Sequence, residues 1–159
     1  MAKQKVKIFV SYAHKNKVRA KELLNKLLEL LEPSKNYVFD LWIDNYIDVG
    51  EKWQEQILSA RDEADIGLLF VSPAFLSSKF ITVKELPVFI GDEAKPMLPI
   101  MLSKIDFERH DLKGLDQYQI FRFDSKKFKE PRAYSDLKPK RRNDFAWEVF
   151  QLIHKKLER

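Results

Sequence analysis

The sequence predicts an α/β fold, a parallel sheet with helices on both faces. Three observations predict it. Short β-rich apolar runs alternate with stretches of helical periodicity five times or nearly so, which is the pattern of successive βαβ units. The run IGLLFV, Ile66 to Val71, carries no charge and reads as a strand buried on both faces. The 159 residues suit a single domain spanning 1–159, and a chain of that length buries roughly 70% of its unfolded surface.

The elements follow in order. Val6 to Val10 is a short β-rich run that ends at Ser11-Tyr12. Asn16 stands where a helix cap is wanted. From Val18 to Leu31 the apolar residues recur at spacings of three and four, so this is an amphipathic helix, ended by Pro33. Tyr37 to Ile43, YVFDLWI, is a second strand. Asp44 to Lys52 is a polar loop with Gly50, and Trp53 to Ala64 reads as a helix with Trp53, Ile57, Leu58 and Ala64 on one side. The strand Ile66 to Val71 stops before Pro73, which cannot donate to a sheet ladder. After the small-residue turn Ser77-Ser78 comes an apolar segment with one carboxylate, Glu85. Pro87 lies inside it, so any helix there is short, kinked or begins near that proline. Met97 to Leu102 is a fourth strand, and Pro99 within it argues for an edge or irregular position. Gln119 to Phe123 is a short fifth strand. The last helix runs from Asn143 to Lys156, with Phe145, Trp147, Val149, Phe150, Ile153 and Leu157 as its buried set. Right-handed crossovers leave few topologies for such a chain. The expected one is a flavodoxin-like three-layer sandwich, a five-stranded parallel sheet in the order 2-1-3-4-5.

Composition removes several function classes. Hydrophobic residues make up 45% and aromatics 13%, a globular rather than a disordered profile. There is no cysteine, so neither a disulfide framework nor thiolate chemistry is available. No apolar run approaches the roughly 20 residues of a membrane span, and MAKQKVKIFV lacks the apolar core of a signal peptide. A cytoplasmic protein with no membrane partner is the expectation. The net charge is +5, yet residues 126–142 alone hold eight Lys/Arg against Glu130 and Asp136. The basicity therefore belongs to one segment, and the remainder is close to neutral. That segment reads as a solvated loop. It shows no spacing of aromatics to stack bases, so nucleic acid is not an expected partner.

Missing motifs remove more. Four glycines, with neither G-x-G-x-x-G nor G-x-x-x-x-G-K-[ST], make no phosphate cradle. A phospho-receiver needs acids after strands one and three, where this chain has Ser11-Tyr12 and Val71-Ser72. His14, His110 and His154 show no metal-binding spacing, so no metal is expected. There is no G-x-S-x-G elbow. What remains is a set of polar residues at strand ends: Tyr12 and His14, Asp44 and Asp48, Ser72 and Glu85. In a parallel sheet those ends form the ligand crevice. Each also has a plain structural reading. Tyr12 fits a rim aromatic, His14 a solvent-facing loop residue, and Asp44 a strand-stopping side-chain turn. Ser72 fits a local backbone bond, and Glu85 an exposed helix glutamate.

Taken together, FVSYAHKN, FDLWIDNYIDVGEKWQEQI and ADIGLLFVSPAFLSSKFITVKEL resemble the successive signature stretches of a bacterial-type TIR (Toll/interleukin-1 receptor) domain. The resemblance covers essentially the whole chain, and the order and spacing of the three stretches make it specific. It implies an enzyme that cleaves NAD+ at the nicotinamide–ribose bond, in bacterial defence or signalling, with NAD+ as substrate and no cofactor. The family's catalytic glutamate falls on Glu85. Pocket-lining positions fall on Ala13 and His14, an acidic position of the BB loop near Asp48, and an aromatic on Trp53. The loop Asp44 to Lys52 resembles the BB loop, through which such domains associate with one another. Many active members carry tryptophan four residues before the glutamate. Here that position is Ile81, with Phe80 beside it. The resemblance also leaves a second role open, a scaffold module that binds other TIR domains without catalysis.

Overall fold

The computed structural model describes residues 2–43 and 53–158. The expected residues Asp44 and Asp48, with the rest of the loop to Lys52, lie outside the described residues.

The chain builds β1 (Gln4–Ser11), α1 (Lys17–Leu31), β2 (Tyr37–Ile43), α2 (Trp53–Glu63), β3 (Ile66–Val71), α3 (Pro73–Ser77), β4 (Met97–Met101) and α4 (Pro139–Leu157). The four strands form one parallel sheet in the order β2-β1-β3-β4. From the centre the chain winds outward both ways: β1 to β2 on one side, β3 to β4 on the other. Every residue of β3 is buried, as its uncharged sequence requires.

Side-chain alternation along the strands divides the interior in two. On one face Val6, Ile8, Val10, Leu68, Phe70 and Ile100 pack against α1 and α4. On the other, Phe9, Leu69, Val71 and Met101 pack against Ile57 of α2, Phe75 of α3 and the segment that carries Glu85.

The expected fifth strand is not a strand. Gln119–Phe123 does run beside β4, where Phe121 donates to the Pro99 carbonyl (2.9 Å) and accepts from the Met101 amide (2.8 Å), but this makes a single bridge. Pro99 turns its missing N–H to this side, so the ladder cannot extend toward Gln119. In the other direction the Phe123 amide donates to the Arg132 carbonyl instead (2.9 Å). The sheet therefore has four parallel strands and not five. The rule that placed Pro99 at an edge holds for the same reason.

Two further expectations change. The end of the basic segment is helical, because Pro139 occupies the first turn of α4, where its fixed φ and absent N–H cost nothing. Trp147 is 51% exposed rather than buried, although its ring lies 5.3 Å from that of Phe150.

Candidate functional site

β1 and β3 lie side by side and parallel, and the chain that follows them winds outward to opposite edges of the sheet, to β2 and to β4. Their carboxyl ends thus flank the switch point where parallel α/β sheets bind ligands. Two pairs of side chains lace the chain together there. The Ser11 hydroxyl, at the end of β1, donates to Oε1 of Glu85 at 2.8 Å across 74 residues of sequence. The Ser72 hydroxyl, just past β3, donates to Oδ1 of Asn16 at 2.6 Å.

Local chemistry explains each position. Ser72 is the N-cap of α3, and its oxygen accepts from the Phe75 amide at 3.0 Å with Pro73 in the first turn. Its hydroxyl is wholly buried and engaged on both counts. Asn16 precedes α1 without capping it by its side chain, which reaches to Ser72 instead. Glu85 ends a π-helical turn, Ile81–Glu85, in which the Leu86 amide bonds back to the Ile81 carbonyl. A 3-10 turn, Leu86–Phe89, follows, with Pro87 near its start. The wide turn and the tight turn in succession rotate the segment so that Glu85 and Leu86 both point inward. π-Turns of this kind recur at functional sites. Arg61 of α2 anchors the segment by donating to the Lys84 carbonyl.

Burial makes Glu85 unusual. Only four polar or charged residues are buried among the described residues, namely Ser11, Ser34, Ser72 and Glu85, and Glu85 is the only ionisable one of the four. At 7% exposure its carboxylate needs the bonds it makes, since an unsolvated anion without partners is costly.

The other expected residues divide by face. Ala13 and Ile81 are buried in the interior cluster that includes Phe9 and Leu69, and Trp53 and Phe80 pack against that cluster. The Trp53 and Phe80 rings meet with centroids 5.0 Å apart. Strand alternation sends Ser11 to this same side as Phe9. It sends Tyr12 to the opposite side, where its ring stacks on Phe70 with centroids 6.3 Å apart. His14 is exposed, in the single 3-10 turn ahead of α1. Ala13, Trp53, Phe80, Ile81 and Glu85 are thus brought to one side of the sheet, and Tyr12 is not. Ser11 and Asn16 were not among the candidates. The signals for Ser11 were its place between a β-rich run and the crevice and its position in the stretch FVSYAHKN.

A groove of about 1020 Å³ lies beside the end of β4, with Met101 and Arg122 among its lining residues. Five Lys/Arg and four Asp/Glu line it, so their charges nearly cancel. Arg132, one of the five, stacks over Phe128 at 4.0 Å. Three of the eight Lys/Arg of the basic segment, Lys127, Lys129 and Arg132, line this groove, together with both of the segment's acids, Glu130 and Asp136.

A doubly wound parallel sheet with a serine-held carboxylate at its switch point defines the class as a parallel α/β domain. The family profile described as TIR domain matches residues 8–137, and the chain belongs to the TIR domain family. No curated protein matches the chain.

Proposed function

We infer that the domain is an NAD+ glycohydrolase in which Glu85 stabilises the ribosyl cation as nicotinamide leaves. The observation that carries this reading is the Glu85 carboxylate itself, buried at the β1–β3 switch point with a hydrogen bond from Ser11.

The chemistry needs one acid, not two. Ordinary glycoside hydrolysis requires a second carboxyl group to protonate the leaving oxygen. Nicotinamide in NAD+ is already a cationic ring and departs neutral. The bond breaks with its electron pair going to the pyridinium nitrogen, and positive charge develops on the ribose. A fixed anion in a dry site stabilises that charge where it forms. Water then captures the cation to give ADP-ribose. Capture by the adenine of the same molecule gives a cyclic isomer. Ala13, His14 and the loop bearing Asp44 and Asp48 fall to the substrate-binding side of this reading. Ile81 is 4% exposed and belongs to the interior. Phe80, half-buried against Trp53, therefore takes the aromatic role that tryptophan has in many relatives.

Family members associate with one another. We extend this to the present chain through residues 44–52, as a condition for full activity.

The test is nicotinamide release from NAD+ by concentrated protein, with products resolved by mass spectrometry. Glu85→Gln should lose release by about a hundredfold or more while keeping the wild-type melting temperature within a few degrees. Equal release by wild type and Glu85→Gln removes Glu85 from the mechanism. No release by either, with self-association retained, makes the domain a scaffold.

A further inference from the structure

The geometry points to Ser11 as a positioning residue for Glu85, its hydroxyl fixing the direction of the carboxylate at the switch point. This rests on the reading of Glu85 given above.

A glutamate reaches its target through three torsions, and the last of them is soft. The backbone that carries Glu85 lies at the junction of a π-turn and a 3-10 turn, so the direction of its carboxylate is left to those side-chain torsions and to the groups that bond it. Ser11 is anchored differently. It is the last residue of β1, which is hydrogen-bonded to β2 on one side and β3 on the other. Its Cα register partner is Leu69, and it is 2% exposed. A strand paired on both sides thus donates one short bond, 2.8 Å, to one oxygen of the acid that is most buried among the described residues.

Such a bond has two effects. It selects one rotation of the carboxylate, and so the direction in which its charge acts on a developing cation. It also favours the ionised form, because the donor bonds to the anion. A serine that merely satisfied a buried polar group would share the geometry without controlling either property.

The test compares Ser11→Ala and Ser11→Cys, which remove or weaken the donor, with Ser11→Thr, which keeps the hydroxyl. Two readouts are taken. In the first, the Glu85 carboxyl carbon is followed by NMR against pH. Its midpoint should rise by about one unit or more in Ser11→Ala and Ser11→Cys and return toward wild type in Ser11→Thr. In the second, nicotinamide release should fall about tenfold or more in kcat, with KM little changed, and recover in Ser11→Thr. An unshifted Glu85 titration in both Ser11→Ala and Ser11→Cys overturns the proposal, and so does full kcat in them. If wild-type protein releases no nicotinamide, the enzymatic reading fails, and the titration alone decides whether Ser11 governs the carboxylate. The near-isosteric Ser11→Cys preserves the comparison if Ser11→Ala does not fold.

Discussion

Residue by residue, the polar side chains buried among the described residues are few, and of their buried nitrogens and oxygens only Nε of Arg142 lacks a hydrogen-bond partner. The largest such set joins three elements away from the candidate site. The Tyr134 hydroxyl, buried with its ring, donates to Oε1 of Glu22 on α1 at 2.5 Å, and Arg142 of α4 reaches the same oxygen at 3.4 Å. Burial, and then the bond to Glu22, hold the Tyr134 phenol above its ordinary value of 10. Burial pushes Glu22 up, but the Tyr134 bond and the charges of Arg142, Arg19 and Lys26 outweigh it and leave the carboxyl below its ordinary 4.5. The signs of the two linkages differ. The tyrosine's contribution is complete below pH 10 and is lost as pH rises through the folded value. The glutamate's is complete above 4.5 and is lost as pH falls through the folded value. Tyr134→Phe should therefore cost about 1–2 kcal/mol at pH 7. That cost should shrink at both extremes, as measured by urea unfolding across the pH range. A penalty independent of pH would mean that packing, not the hydrogen bond, sets it.

At the scale of elements, the segment from Ile81 to Phe89 is where local pattern and structure part. The strands Tyr37–Ile43 and Ile66–Val71 were legible to the residue, because β-branched and aromatic runs bounded by polar or proline residues have one reading. The π-turn was not legible. Its five residues, ITVKE, satisfy helix, turn and short strand equally, and the choice is made by what lies beneath. What lies beneath is Gly67. A Cβ at that position would stand 2.6 Å from the Phe89 ring, and Phe89 is fully buried with no direction to yield. The missing side chain in β3 is the seat into which the Glu85 segment docks. Gly67→Ala should destabilise the fold by about 1–3 kcal/mol. It should also weaken nicotinamide release more than an equally destabilising change in α4, such as Ile153→Val. Equal losses of activity for equal losses of stability would separate Gly67 from the site. The fifth strand failed for a related reason: its apolar pattern was sound, but a proline in the neighbouring strand limited it to one bridge.

Across the whole molecule, the two faces of the sheet are built to different standards. The side under α1 and α4 is closed by two long helices whose apolar stripes meet the strands. The other side is closed by one helix of 11 residues, one of 5, and irregular turns. Few regular backbone bonds protect the second side, so native-state hydrogen exchange should be slowest in α1, α4 and β3 and faster in Ile81–Phe89. Uniform protection across both faces would contradict this division. The fold class and the first four strand positions were readable because they depend on periodicity, which is local. The division of labour between faces was not, since it depends on which residues meet across the sheet. Nor was the Ser11–Glu85 pair: the sequence singled out Glu85 but gave no sign that Ser11, 74 residues away, would bond to it. If the proposed assembly holds, nicotinamide release per molecule should also rise with protein concentration, and a constant rate over a dilution series would count against it.

Pro99 has a consequence for how this protein meets its neighbours. With the outer flank of β4 denied a donor, that side is a poor template for an incoming strand from another chain. Among the described residues, β2 pairs only with β1, which leaves Tyr37–Ile43 as the flank able to recruit one. Its single charge, Asp40, is exposed midway along and acts as a gatekeeper. Asp40→Val should therefore hasten amyloid-like clumping on mild heating, seen as earlier thioflavin fluorescence, whereas Asp124→Val beside the blocked flank should not.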